Sequence, residues 1–272
     1  MNSIPITVII PVKNEEKNLP ECLQLLNDFD QVMVVDSTST DRTPVIAKEF
    51  GAEYHNFQWN GKFPKKRNWA LRNLTIKNKW VLFLDADEFI TDDFKREITE
   101  KIKDESVNGY WITYHNYFMG KRLKYGDPMK KLPLFRVGSG EYEKIEEDAW
   151  SHLDMEVHEH PVINGKIGSI SSPAIHNDYK GMEHYIARHN AYSSWEARRY
   201  LQLKKQGFPG LTSRQKLKYN LLRTGFLPII YFFGSYILKL GFLDGRPGYY
   251  LARYKANYFF QIQTKIKELT NS

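Results

Sequence analysis

The run Trp80-Val81-Leu82-Phe83-Leu84-Asp85-Ala86-Asp87-Glu88 is five apolar residues followed abruptly by acid. Its first half reads as a strand buried on both faces, the kind found in the middle of a parallel sheet. Its second half sets carboxylates at alternate positions beyond the strand's carboxyl end, the edge where open α/β sheets bind ligands. Upstream lie two more short runs of this type, Ile6-Thr7-Val8-Ile9-Ile10 and Val32-Met33-Val34-Val35, and the second also stops on acid, at Asp36. Helical spacing fills the gaps. Leu19, Leu23, Leu26 and Phe29 recur at helical intervals between Asn14 and Phe29, and Ser37 to Asp41 offers cap residues for a helix through about Phe50. Lys65 to Leu74 and Thr91 to Lys103 read as helices, and Glu53-Tyr54-His55 as a short strand. This alternation predicts an α/β fold: a mostly parallel, Rossmann-like sheet flanked by helices.

Beyond Gly109 the texture changes. Tyr110 to Phe118 and Leu132 to Val137 read as extended pieces, and Asn164-Gly165 between short apolar runs predicts a hairpin. Tyr185 to Gln206 has the length of a long helix, broken by Gly207-Phe208-Pro209-Gly210. The expected organisation is an α/β domain over residues 1–181 and a helical, basic and aromatic region over 182–272.

The charge distribution sharpens that division. The chain of 272 residues carries 39 Lys/Arg against 32 Asp/Glu, a net charge of +7. Residues 1–181 hold 24 basic and 28 acidic residues, whereas 182–272 hold 15 and 4. A basic, aromatic and apolar segment fits an anionic membrane surface. Nucleic acid is not expected, because no helix-turn-helix, zinc-finger or RNP signature accompanies the charge. Within this region, residues 225–243 read GFLPIIYFFGSYILKLGFL, with Lys239 the one charge. Its length approaches a bilayer span, but Pro228, Gly234, Ser235 and Lys239 argue for in-plane association or a buried helix. Cys22 is the single cysteine, which excludes an intrachain disulfide and a multi-thiolate zinc site. The first residues lack the pattern of a signal peptide, so a cytosol-facing location is expected.

The acids carry the chemistry. An extended Asp85-Ala86-Asp87 sends both carboxylates the same way. Two hard oxygen ligands at a strand end suit Mg²⁺ or Mn²⁺ holding a diphosphate. The competing reading is an acidic cluster at a helix N-terminus, since Thr91-Asp92-Asp93 follows closely. Four stretches then share a resemblance: Val8-Ile9-Ile10-Pro11-Val12-Lys13-Asn14-Glu15-Glu16, Val34-Val35-Asp36-Ser37-Thr38-Ser39-Thr40-Asp41-Arg42-Thr43, Lys66-Arg67-Asn68-Trp69-Ala70-Leu71 and Leu84-Asp85-Ala86-Asp87-Glu88. In order and spacing they resemble the family 2 inverting glycosyltransferases of the GT-A fold. Val157-His158-Glu159, His176-Asn177-Asp178-Tyr179 and Gly241-Phe242-Leu243-Asp244-Gly245-Arg246-Pro247-Gly248 are similar to the branch that includes lipopolysaccharide core β-1,4-glucosyltransferases.

The resemblance implies roles. Pro11, Val12 and Glu15 would line the nucleotide pocket, Asp36 would accept from the base, and Arg67 would reach the donor. Asp85 would contact ribose or diphosphate. Asp87 would ligate the metal, with His176 completing its shell. Glu159 is the first choice as general base, with Glu156 and Asp154 as alternatives, and His158 would orient Glu159 or the acceptor. For Asp36 a turn cap is the competing role, and for Arg67 a solvated basic face. A zinc site on His152, His158, His160 and His176 is a further reading, without the spacing of known zinc sites.

The implied reaction moves a sugar, most simply from a UDP-hexose, onto a glycolipid or lipid-linked oligosaccharide hydroxyl. The enzyme would work at the cytoplasmic face of the membrane. A nucleotidyltransferase is the main rival, although Pro11 to Glu15 lacks the glycine-rich loop such enzymes use. A non-catalytic sugar-nucleotide-binding module is the other.

Overall fold

The structure, a computed structural model, describes residues 3–126, 128–145, 161–177, 181–209, 211 and 213–271. The chain forms two compact units. The first holds the residues up to His115 and again from Met129 through the strand that ends at His176. The second takes Asn116 to Pro128 together with the chain from Gly181 onward, so a short segment from the middle of the sequence belongs with the C-terminal helices.

In the first unit β1 (Ile4–Val12), α1 (Leu19–Gln24), β2 (Phe29–Asp36), α2 (Thr43–Glu49), β3 (Glu53–Asn56), α3 (Lys66–Asn73) and β4 (Trp80–Phe83) alternate as the apolar pattern predicts. Helix α1 is shorter than expected: Leu26 is buried beyond its end, and Phe29 starts β2 rather than closing the helix. Then come β5 (Glu88–Phe89), α4 (Asp92–Lys101), β6 (Val107–Phe118), whose end from Asn116 belongs with β7 (Lys121–Arg122) to the second unit, and, back in the first, β8 (Met129–Arg136), β9 (Gly140–Tyr142), β10 (Pro161–Ile163) and β11 (Lys166–His176). The main sheet runs β3-β2-β1-β4-β8-β6-β11-β5, with β7 hydrogen-bonded to β6. Strands β3, β2, β1 and β4 are mutually parallel, and β8 continues the sheet antiparallel to β4.

Alternation along β1 divides the core. Val8, Ile10 and Val12 join one apolar cluster with Leu19, Leu23 and Phe94, while Ile9 joins another with Met33, Val35, Phe83 and Phe135 on the opposite face. Both faces are covered, which is why β1 and β4 are almost continuously apolar. The Asn164-Gly165 turn does not make a hairpin. It joins two strands with different partners: β10 pairs with β9, and β11 lies between β6 and β5. The turn is tied elsewhere, the Asn164 amide donating to the Ser139 carbonyl at 2.8 Å and the Asn108 side chain to the Asn164 carbonyl at 2.6 Å.

The second unit is helical: α5 (Met182–Gln206), α6 (Ser213–Thr224), α7 (Leu227–Phe233) and α8 (Arg246–Asn271). Helix α5 stops at Gly207 in the left-handed conformation, the glycine break the sequence predicts. A π-helical turn over Gly234–Leu238 prolongs α7, and a 3-10 turn over Gly241–Asp244 leads into α8. Asp244 is buried; its carboxylate accepts from the Lys124 and Tyr125 amides at 3.0 and 2.9 Å, and its carbonyl from Lys121 Nζ at 2.7 Å. The Gly-Phe-Leu-Asp-Gly-Arg-Pro-Gly motif is therefore a clamp on residues 121–125. Its glycines are needed for close approach: a Cβ on Gly248 would stand 2.1 Å from the Gly241 carbonyl oxygen and 2.9 Å from Asp244 Cβ. Gly248→Ala is expected to destabilise the protein by about 1–3 kcal/mol in urea unfolding. Gly234→Ala, where the added methyl meets nothing within 4 Å, should be neutral or mildly stabilising.

Candidate active site

Beyond the carboxyl ends of β1 and β2 two loops are laced together. Asn14 takes a left-handed φ of 56°; its amide donates to Ser39 Oγ at 2.7 Å, and its side-chain oxygen accepts from the Thr40 amide at 2.8 Å. The Glu15 amide donates to Thr43 Oγ1 at 2.8 Å, and the Glu16 amide to Asp41 at 3.1 Å. Burial would raise the Asp41 carboxyl, but the Thr43 hydroxyl and the Thr43 and Glu16 amides outweigh it and hold it below its ordinary range. Pro11 and Val12 are buried in β1 where it pairs with the end of β2, and Glu15 is half-buried on the loop. Asp36 is fully buried. Its carboxylate accepts from the Ser39 amide at 3.1 Å, the Ser39 hydroxyl at 2.5 Å and the Tyr54 hydroxyl at 2.9 Å. Three donors from its own sheet and loop hold it, so the turn-cap role is in place.

The first turn of α3 is the part least like its sequence reading. A Lys-Lys-Arg run on a helix is ordinarily a solvated face, yet Lys65 and Lys66 are buried and the Arg67 side chain is only 12% exposed. Each residue of the next three holds a different segment. Lys66 Nζ donates to the Val12 carbonyl at 2.9 Å. Arg67 donates to Asp85 at 2.8 Å and lies over the Tyr142 ring. Asn68 exchanges two hydrogen bonds of 2.9 Å with the Tyr142 backbone. This turn thus joins the end of β1, the acids after β4, and β9.

The acids themselves do not lie on an extended chain. After β4 the backbone turns at Ala86-Asp87 and re-enters the sheet as β5, so the alternation of an extended strand does not set the two aspartates. Asp85 meets two cations, Arg67 at 2.8 Å and Lys131 Nζ at 2.7 Å. Glu88 is not a helix-terminal acid: it is buried on β5, accepts from Lys131 at 2.5 Å and from the Asp85 amide at 3.2 Å. Burial would raise Asp85, but Lys131 and then Arg67 overcome it and hold the carboxyl well below the usual range. For Glu88 burial wins; against the pull of Lys131, and with Asp85 adding to it, the carboxyl is pushed up to about 7. Burial opposes the charge on Lys131, and Asp85 and Glu88 restore it, keeping the ammonium form.

Strand pairing delivers His176. The short ladder between β5 and β11 sets His176 opposite Glu88, and the Asn177 amide donates to the Asp87 carbonyl at 3.1 Å. His176 Nε2 then lies 3.9 Å from Asp87 Oδ1, and its ring meets Tyr114 edge-on. The structure therefore brings together Arg67, Asp85, Asp87 and His176. Sequence reading missed Lys131, Glu88 and the Tyr142 backbone. The sequence carries no local signal for Lys131, which adjoins Lys130 ahead of the Leu132 to Phe135 run. Glu159 and His158, with Asp154, Glu156, His152 and His160, lie outside the described residues. Among the described residues, no group of three His, Cys, Asp or Glu converges on a metal-sized site.

Known proteins resemble this chain in sequence and in fold. LpsC of Rhizobium meliloti, a lipopolysaccharide core biosynthesis glycosyltransferase, is 24% identical over 276 residues, spanning 97% of this chain and 92% of its own. An uncharacterized glycosyltransferase of Rickettsia bellii is 25% identical over 272 residues, spanning 97% and 87%. Among solved structures, the Pyrobaculum calidifontis mannosyltransferase PcManGT superposes with a TM-score of 0.52 at 16% identity, covering 96% of this chain and 86% of that one, and so shares its fold. Residues 7–152 match Glycosyl transferase family 2. That span is over half of the chain and contains the interlaced loops, the buried turn of α3 and the acids after β4, so the protein belongs to glycosyl transferase family 2 and has its GT-A fold.

Proposed function

We propose that this protein transfers a hexose, with inversion, from a nucleotide sugar to a hydroxyl of a lipopolysaccharide-core or other lipid-linked glycan, at the cytoplasmic face of the membrane. The observation that carries the reading is the strand-end group of Asp85, Asp87, Arg67, Lys131 and His176. The named role of LpsC in lipopolysaccharide core biosynthesis supports the acceptor class. PcManGT was solved with GDP-mannose and Mn²⁺, so GDP sugars stand beside UDP sugars as candidate donors.

A divalent cation fits the residues present. Asp87 and His176 offer an oxygen and a nitrogen donor 3.9 Å apart, each slightly exposed, and carboxylate with imidazole suits Mn²⁺ at least as well as Mg²⁺. Bound there, the ion would offset charge on the leaving diphosphate. Asp85 is fixed by Arg67 and Lys131, which suits a carboxylate that accepts from ribose hydroxyls rather than one that holds the ion. Arg67 and Lys131 add fixed positive charge where the diphosphate develops its own. In transfer the acceptor oxygen bonds to the anomeric carbon as the bond to the diphosphate oxygen breaks. Glu159 takes the acceptor's proton in this reading.

The test is a panel of UDP and GDP sugars with Mn²⁺, Mg²⁺ or EDTA, read by nucleotide release and thermal shift. One donor should stabilise the protein and release nucleotide slowly, with both responses lost in EDTA. Indifference to every nucleotide sugar would overturn the reading.

A further inference from the structure

We propose that residues 226–243 of the second unit form an in-plane anchor that seats the protein on an anionic lipid bilayer. The inference deepens the lipid-linked-acceptor reading but stands on separate observations. Phe226, Ile230, Phe233 and Ile237 recur at helical spacing along α7 and its π-helical turn, and all four are exposed. A helix packed into a core buries such a stripe; here the buried positions are Leu227 and Ser235 instead. Apolar exposure continues around the next turn, where Leu238 is 80% exposed and Leu240 and Leu243 are exposed as well. Ring contacts of Tyr236 with Phe242 and Tyr249 join this turn to the start of α8, so the apolar surface is continuous. A patch of this extent on a soluble surface marks an interaction site.

Charge selects the occupant. From Ala197 to Lys267 the sequence holds fourteen Lys/Arg and one acid, Asp244. That acid is buried and spent on the Lys124 and Tyr125 amides. Arg223, Lys239, Arg246 and Arg253, flanking or within the apolar stretch, are all exposed. Exposed apolar side chains bordered by cations alone match an acidic headgroup layer over acyl chains. A second copy of the same surface would bring these cations together. Geometry excludes a simple span: no single described helix is long and apolar enough, and the run Leu227–Leu238 meets Gln215–Thr224 at a 116° bend. Its twelve residues reach about 18 Å, against a hydrocarbon core of about 30 Å.

The full chain should float with phosphatidylglycerol–phosphatidylcholine vesicles, and raised salt should weaken the binding. The double variant Phe233→Asp/Ile237→Asp should lose at least about tenfold in vesicle affinity, as should Lys239→Glu/Arg246→Glu. Both should keep the wild-type unfolding midpoint and nucleotide release from a soluble donor. That release assay separates failure of the anchor from failure of the proposed activity. Absence of wild-type binding to anionic vesicles, or equal binding by both variants, would overturn the proposal. So would a wild-type dimer that ignores vesicles and that Phe233→Asp/Ile237→Asp converts to monomer.

Discussion

Asp87→Ala is expected to lower nucleotide release from the preferred donor by at least about a hundredfold, the scale of losing one preorganised electrostatic contact to a developing charge. The unliganded unfolding midpoint should stay near that of the wild type. Asp87 sits on a turn, and its neighbour Ala86 is the residue that packs into the core. The bond that ties β11 to this turn uses the Asp87 carbonyl, which the substitution keeps. The thermal shift produced by Mn²⁺ with donor should vanish with the turnover. His176→Ala should weaken Mn²⁺ binding by less, because the carboxylate remains and supplies the charge. Full metal-dependent release in Asp87→Ala would remove Asp87 from the donor site. Release lost together with the unliganded midpoint would make its role structural.

The parallel half of the sheet was legible because its strands are buried on both faces. Burial there gives short runs such as Ile6 to Ile10 and Trp80 to Leu84, whose length and β-branched or aromatic content favour a strand. The strand-end acids were legible for the same reason, since Asp36 and Asp85 are where the runs stop. The partners of those acids were not. Lys131 reaches Asp85 from a strand 46 residues later, and nothing local distinguishes it from Lys130, which is exposed. The burial of Lys65 and Lys66 was hidden likewise: a helix start rich in Lys and Arg reads as solvated until the Val12 carbonyl and Asp85 come to meet it. The Asn-Gly turn misled because a turn signal specifies only that the chain reverses. Which strand then pairs with which is decided by the sheet, and β11 finds β6 and β5 rather than β10. His176 was placed near Asp87 by resemblance alone; the physical cause is the β5–β11 ladder, which pairs two strands 88 residues apart.

Lys131→Met is expected to destabilise the fold by about 3–5 kcal/mol near pH 8, the range for removing one partner of a buried ion pair. Lys131 is the cation shared by two carboxylates. Without it Asp85 keeps Arg67, but Glu88, 1% exposed, loses its cation and keeps the Asp85 amide. The loss should shrink as the pH falls, and the sign follows from the direction of the Glu88 shift. In the wild type the folded carboxyl titrates at about 7 against an ordinary 4.5, so the folded state binds more protons than the unfolded chain between those values. Its contribution to stability is fully present below 4.5 and is lost as the pH rises through about 7. Removing Lys131 deletes the largest cause that lowers this carboxyl, so burial and the Asp85 charge raise it further against the Asp85 amide. Near pH 5 the variant's Glu88 is then neutral and its burial requires little compensation. Asp85 does not mask the effect, since it is held low and its own contribution is lost only as the pH falls below 3.8. Urea unfolding of wild type and Lys131→Met near pH 5 and pH 8 checks this, with Lys131→Met/Glu88→Gln as the second variant. The double variant has no charge to strand at position 88, so it should recover most of the stability lost at pH 8 and show little difference between the two pH values. A Lys131→Met loss that is equal at both pH values, or a double variant no more stable than the single, would mean that the ammonium packs against Tyr114 rather than neutralising Glu88.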